Sequence, residues 1–236
     1  MNPIVAILGV GSGLGKALAR RFARGGCTVA LMSRSLENLQ VIQASLAEEG
    51  YRIFSFEADA RDSNSVSDGF SQVKEQLGDP EVFIYNAGTF QMGGILEITP
   101  EKFEECWKAN CFGAFLGAQQ VLPAMSERRQ GTILLTGATA ALRGSARFSC
   151  LAVGKFGLRA LAQSMAREFN SQGIHIAHII IDGQIDIPKL RAKSPDRAAD
   201  TLLSPDAIAE TYWQLYQQDP SVWTLELDLR PSLEKF

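Results

Sequence analysis

Between residues 4 and 15 the sequence reads Ile-Val-Ala-Ile-Leu-Gly-Val-Gly-Ser-Gly-Leu-Gly, an apolar strand that runs into glycines and then into a helix beginning near Leu14. Residues of these types at this spacing do anion chemistry. Gly9 permits a tight turn, Gly13 brings backbone up to a pyrophosphate with no Cβ in the way, and Gly15 lets the helix pack closely on the strand. The helix N-terminus then faces the anion with free N–H groups. The expected phosphate cradle is therefore Gly9, Gly11, Ser12, Gly13, Leu14 and Gly15. A flexible turn without a ligand is the competing reading, and the strand before it and the helix after it weigh against that.

A dinucleotide bound there presents its adenine ribose to the end of the second strand, where an acidic side chain would accept hydrogen bonds from the ribose hydroxyls. Ser33 and Arg34 stand there instead. No carboxylate repels a 2′-phosphate, and Arg34 can pair with one through charge-assisted hydrogen bonds. The expected cofactor is NADP(H) in preference to NAD(H), against the alternative that Arg34 is only a solvated residue at a helix start.

Apolar runs of strand length, each followed by a segment of helical period, recur along the chain and supply the frame for this turn. Seven strands are expected, at Ile4 to Leu8, Thr28 to Met32, Arg52 to Phe56, Val82 to Tyr85, Thr132 to Leu135, Ile174 to Ile181 and Trp223 to Leu229. Their near-continuous apolar character suits strands covered on both faces. The pattern predicts a single α/β domain over 1–236, a doubly wound Rossmann fold with a seven-stranded parallel sheet. Thr99 and Ser204 each precede a proline and read as N-caps of helices running toward Met125 and Gln217. Gln184 to Leu203, with two prolines and little apolar period, reads as a long loop that serves as a lid over the substrate.

The chain is 46% hydrophobic and 21% charged with a net charge of -3, and its charges are mixed along the sequence. That composition offers no basic run for a nucleic acid or an anionic membrane surface. No apolar stretch reaches the roughly 18 residues of a membrane span. Met1 leads almost directly into a strand with no signal peptide, so the expected location is cytoplasmic. Cys27, Cys106, Cys111 and Cys150 lack metal-ligand spacing and read as buried thiols. His175 and His178 lie three apart on a strand, face opposite sides and cannot form a compact metal pair. They read as strand packing or surface, and Asp182 and Asp186 as loop carboxylates.

With Gly9, Gly13 and Gly15 in Gly-x-x-x-Gly-x-Gly, then Asn86-Ala87-Gly88 after the fourth strand, the chain resembles the short-chain dehydrogenase/reductase family over nearly its whole length. The resemblance implies that Asp59, with Ala60 beside it, meets the adenine, and that Asn110 is the active-site asparagine. It also implies that Lys155 is the lysine that holds the nicotinamide ribose and lowers the pKa of a tyrosine. Here the chain departs from the pattern. Leu151 stands four residues before Lys155, where the proton-donating tyrosine is expected, and Ala138 stands in the serine position. The Pro-Gly after the sixth strand is Asp182-Gly183, and the threonine expected to hold the carboxamide is Ile187.

For function, the resemblance implies an NADP(H)-dependent oxidoreductase acting on a small or medium carbonyl, or on a conjugated enone or enoyl substrate. The alternative is a catalytically impaired NADP(H)-binding protein with a sensing or regulatory role. Asn110 and Lys155 carry their own structural alternatives, the mending of a kinked helix and the gripping of a ribose. The family also implies a homodimer or homotetramer. Ala152, Gly154, Gly157, Ala160 and Ala162 are small enough for a close helix contact between subunits.

Overall fold

The computed structural model describes residues 2–193 and 198–233. Seven parallel strands form one sheet in the order β3-β2-β1-β4-β5-β6-β7. They are β1 (Ile4–Leu8), β2 (Thr28–Ser33), β3 (Ile53–Glu57), β4 (Val82–Tyr85), β5 (Gly131–Thr136), β6 (Ile174–Ile181) and β7 (Glu226–Leu229). Strand order reverses between β1 and β4, which opens a crevice at their carboxyl ends.

Helices cover both faces, which is why the strand residues are apolar without alternation. On one face α1 (Leu14–Arg24), α2 (Leu36–Ala47) and α8 (Pro205–Tyr216) pack through Leu18, Phe22, Leu39, Leu46, Ile208 and Tyr212. On the other, α3 (Ser63–Gln76), α5 (Gly113–Arg128) and α6 (Ser149–Phe169) pack through Val66, Phe70, Leu116, Val121, Leu158 and Ala162.

Local chemistry sets the ends of these helices. Ser35, Asp62, Thr99 and Ser204 each accept a hydrogen bond from the backbone N–H three residues on, satisfying a donor the helix itself leaves free. The helix opened at Thr99 does not run unbroken to Met125. It is α4 (Pro100–Trp107), then a π-helical turn at Lys108–Phe112, then α5. Such bulges occur mostly at functional sites.

Three further expectations need correction. The last strand starts at Glu226 rather than Trp223, because Trp223 instead stacks on His175 with ring centroids 4.9 Å apart. The stretch from Gln184 to Leu203 is not one loop: it contains α7 (Pro188–Lys193) and a 3₁₀ turn (Ala199–Thr201), and Ile185 bridges Leu203. Of the small residues of α6, Ala152, Gly154, Gly157 and Ala162 are turned toward their own chain, whereas Ala160 is exposed. A Cβ at Gly154 would lie 2.6 Å from Asn110 Cβ, and one at Gly157 would lie 2.9 Å from Cys111 Sγ. On α4, α5 and α6 the exposed large apolar side chains include Phe103, Trp107, Phe115, Val153 and Phe156.

No helix among the described residues is long and apolar enough to cross a membrane.

Candidate active site

The turn after β1 is tight for a stated reason. Gly9 has φ +101, and a Cβ there would lie 2.1 Å from the Ala87 nitrogen. Asn86 Nδ2 donates to Gly9 O at 2.9 Å, so β4 holds the turn from the other side. A Cβ at Gly15 would lie 2.8 Å from Val10 Cα, whereas Gly11 has open space around it. No side chain caps α1 at Gly13, which leaves its first N–H groups for another acceptor. Gly13 itself is covered: a Cβ there would meet Ile187 Cγ2 at 2.5 Å, so the chain leaving β6 folds back over the turn.

Beside the turn lies a cavity of about 320 Å³, bounded by Gly9 to Gly11, Ser33, Arg34, Asp59 to Arg61 and Asn86 to Thr89. Arg34 is exposed at its rim. Asp59 is gripped by Arg61, with Nε 3.0 Å from Oδ1 and Nη2 2.6 Å from Oδ2. Burial pushes the Asp59 carboxyl up, but the Arg61 hydrogen bonds and charge outweigh it and hold the group below the usual carboxylate range. Arg61 was not expected from the sequence. A basic residue two places after the aspartate was the available signal.

The two residues expected to act in catalysis, Asn110 and Lys155, sit at the ends of β4 and β5. Asn110 is fully buried in the π-helical turn. Its Nδ2 donates to Cys106 O at 2.9 Å, mending the broken helix, and to Thr89 O at 2.8 Å, tying the helix to the loop that follows β4. Its Oδ1 has no partner among the described residues. Lys155, 6% exposed, donates from Nζ to Thr136 O at 2.7 Å. Burial pushes its ammonium down from 10.5 to about 8, against a small opposing influence of Cys111. A Cβ on Gly88 would lie 3.0 Å from Asn110 Oδ1 and 3.7 Å from Lys155 Nζ, so both polar atoms converge on that glycine.

Leu151 is half-buried on α6 one turn before Lys155, and so on the same face. Ala138 ends the strand segment that follows Thr136, and neither side chain carries a hydroxyl. Thr139, next along, donates its hydroxyl proton to Asp182 Oδ1. Asp182 is buried and not a surface loop carboxylate, and Arg230 stands 3.5 Å from its other oxygen. Asp186 pairs with Arg191 at 2.6 Å, outside this cluster. Gly183, after Asp182, has φ +146 and lies under Pro231 and Leu203.

The two histidines take opposite faces of β6. His175 stacks on Trp223, and its Nε2 lies 2.9 Å from Thr224 O. His178 lies on the α6 side against Gly137, where a Cβ would lie 2.4 Å from its Nε2, and neither ring nitrogen has a partner among the described residues. Among those residues no group of side chains is arranged to hold a metal ion.

A doubly wound parallel sheet with a glycine turn at its carboxyl edge defines a nucleotide-binding Rossmann domain. Residues 3–197 match the model of the short chain dehydrogenase family, and the chain belongs to that family. It is 31% identical over 188 residues to the 3-oxoacyl-acyl-carrier-protein reductase MabA of Mycobacterium avium, covering 80% of this chain and 69% of that protein. The solved short-chain dehydrogenase of Rhodopseudomonas palustris is 38% identical, with a TM-score of 0.85 over 98% of this chain and 99% of that one. The alcohol dehydrogenase of Thermococcus sibiricus, solved with 5-hydroxy-NADP, is 26% identical, with a TM-score of 0.87 over 98% of each chain.

Proposed function

We propose that this protein is an NADP(H)-dependent oxidoreductase that reduces a conjugated enone or enoyl substrate, or a small or medium carbonyl at lower rate. The observation that carries the reading is the glycine turn with its neighbouring cavity. Gly9 and Gly15 leave no room for side chains, the N-terminus of α1 is uncapped, and the cavity wall carries Arg34 and Arg61. That donor set fits a phosphorylated dinucleotide: the helix N-terminus takes the pyrophosphate, and Arg34 takes the 2′-phosphate. Ser33, Asp59, Ala60 and Asn86 to Gly88 line the adenosine side, with Lys155, Asp182 and Gly183 farther along the edge.

When bound, the cofactor supplies a hydride. The chain must then meet the negative charge that develops on the substrate oxygen. Ala138 and Leu151 supply no proton there. Lys155, pushed down to about 8, carries a proton at Nζ at neutral pH and gives it up more readily than an exposed lysine. Asn110 holds the loop after Gly88 against the helix and keeps its Oδ1 beside Lys155. An enolate spreads its charge and tolerates this weaker support, whereas an alkoxide does not. A positioned general acid is worth roughly 10² to 10⁴ in rate.

The test follows NADPH absorbance over a panel of ketones and enones with the parent and with the double substitution Ala138→Ser, Leu151→Tyr. The parent is expected to favour enones, and the double variant to gain about tenfold or more on ketones. Ordinary ketone reduction by the parent refutes the assignment of the site. Binding without turnover by either protein supports a cofactor-binding, regulatory protein instead. Arg34→Ala should weaken NADPH by about tenfold, as loss of a charged hydrogen bond does, and leave NADH unchanged.

Two further proposals complete the reading. The expected lid at 184–203 lies partly outside the described residues, at 194–197; its described part acts as a cover at the glycine turn, supported by Ile187 over Gly13. A second copy of the chain covers the aromatic face of Trp107, Phe112 and Phe115, whose rings stack at 5.3 and 6.2 Å, together with Val153 and Phe156.

A further inference from the structure

At the carboxyl edge of the sheet, the chain leaving β5 and the end of β6 carry two side chains that hold each other. The Thr139 hydroxyl donates to Asp182 Oδ1, and Arg230 stands 3.5 Å from Oδ2. Asp182 is 6% exposed, and a carboxylate so buried needs such partners. Thr139 is half-buried and faces a different demand. With its hydrogen directed at the carboxylate, its oxygen keeps its lone pairs, and the adjoining negative charge makes them better acceptors. No donor reaches that oxygen among the described residues.

The place of this acceptor narrows what it meets. Along the edge the strands run β2, β1, β4, β5, β6. The cavity with Arg34 and Asp59 lies over the ends of β2, β1 and β4, and the glycine turn comes directly after β1. A dinucleotide with its adenosine in that cavity and its pyrophosphate at the turn lays its second nucleoside over β4, β5 and β6. Lys155 Nζ on Thr136 O marks the near part of that stretch, and the Thr139–Asp182 pair the far part. Ile187 on Gly13 and Leu203 on Gly183 roof it. The base of the second nucleoside, nicotinamide, carries one N–H donor group, its carboxamide amine.

We propose that Thr139, polarised by Asp182, accepts a hydrogen bond from the nicotinamide carboxamide and so fixes the rotation of the ring. The proposal rests on the cofactor reading above. Thr139 is then a positioning residue whose partner is a single functional group, and this distinguishes it from a residue that only neutralises the desolvation of Asp182.

Three ligands separate these roles by titration calorimetry: NADP+, its 3-acetylpyridine analogue, in which a methyl ketone replaces the carboxamide, and 2′-phospho-ADP-ribose, which has no nicotinamide. The parent should bind NADP+ about tenfold more tightly than the acetylpyridine analogue. Thr139→Val should bring NADP+ down to the level of the analogue while leaving the analogue and 2′-phospho-ADP-ribose unchanged. Thr139→Ser should restore the preference. Equal affinity of the parent for NADP+ and the analogue overturns the proposal without any variant having to fold. So does a preference that survives in Thr139→Val, or a loss shared by all three ligands, which is the mark of a structural role. If the parent binds none of the three, the cofactor reading falls and this proposal falls with it; if it binds 2′-phospho-ADP-ribose but shows no carboxamide preference, only this proposal falls.

Discussion

Replacing Lys155 by methionine should make the protein more stable at neutral pH while removing its chemistry. Lys155 is 6% exposed, and among the described residues it has no carboxylate partner; its one hydrogen bond is to Thr136 O. Burial lowers its pKa from 10.5 to about 8. At about 1.4 kcal/mol per pKa unit, that displacement means the buried ammonium costs the folded state roughly 3 kcal/mol at pH 7. Methionine fills a similar volume without the charge, but leaves Thr136 O without that donor, a loss of about 1 to 2 kcal/mol. The net gain at pH 7 is therefore on the order of 1 to 2 kcal/mol. The pH dependence is the sharper signature. Between pH 8 and 10.5 the unfolded parent carries more protons at this lysine than the folded parent, so this group's contribution to stability rises with pH. Cys27 and Cys106, pushed up to about 11 by burial, act in the opposite direction above pH 9, because there the unfolded chain ionises first. Those groups are common to both proteins and cancel in the difference. Urea unfolding of parent and Lys155→Met at intervals from pH 7 to 10 should show the advantage of the variant nearly constant up to about pH 8, then shrinking, and gone or reversed by about pH 9 to 10. A difference independent of pH, or a variant less stable by a fixed amount throughout, refutes the argument.

Burial, aided by the Lys155 charge, pushes His178 from 6.5 down to about 4. Between those values the unfolded chain binds a proton that the folded chain refuses, so stability should fall by roughly 3 kcal/mol as pH drops from 6.5 to 4; acid unfolding of His178→Leu should lack that part of the slope. Gly9→Ala places a Cβ at φ +101 and 2.1 Å from the Ala87 nitrogen. Strain and overpacking together cost roughly 2 to 6 kcal/mol, and a thermal midpoint within about 2 °C of the parent, less than such a loss would produce, would contradict the close approach of β1 to β4. By light scattering the parent should be a dimer or tetramer, as proposed, with Phe115→Asp combined with Phe156→Asp a monomer and Ala160→Ser like the parent; a monomeric parent refutes the proposed contact.

The sheet and the glycine turn were legible because both are written in short-range pattern: runs of Val, Ile and Leu broken at regular intervals, and glycines at fixed offsets. What was not legible depends on contacts between distant residues. Ile187 looks like any loop isoleucine until the chain brings it onto Gly13. Trp223 extends the apolar run of β7 in the sequence, and only the position of the His175 ring shows why pairing starts three residues later. The small residues of α6 suggest a helix contact but do not say with which partner, and Asn110 and Cys111 take that space. Asn110 was readable as the residue that mends a kinked helix, and its two amide bonds show that this repair occupies only the nitrogen.

That unused oxygen is one of several polar atoms whose placement has no structural rationale taken singly. Among the described residues, the buried side-chain atoms without a partner include Asn110 Oδ1 and both nitrogens of His178. Leaving such a group unpaired costs about 1 to 3 kcal/mol, and burying an uncompensated lysine adds more. An apolar core residue would avoid every one of these costs. Ser55 Oγ on β3 and His175 Nδ1 on the other face of β6 are unpartnered as well and lie elsewhere. The rest sit together: Lys155 bonds Thr136 O, His178 packs on Gly137, and Asn110 Oδ1 and Lys155 Nζ both face Gly88, near the ends of β4 and β5 and next to the strand crossing where a doubly wound sheet takes its ligand. If the chain only bound a nucleotide, the turn and the Arg34 cavity would suffice, and this strip would be most stable filled with leucine. An unpartnered Asn110 Oδ1 beside a buried lysine at this edge is what the oxidoreductase proposed above would use, and it is the physical reason that proposal puts catalysis ahead of binding alone.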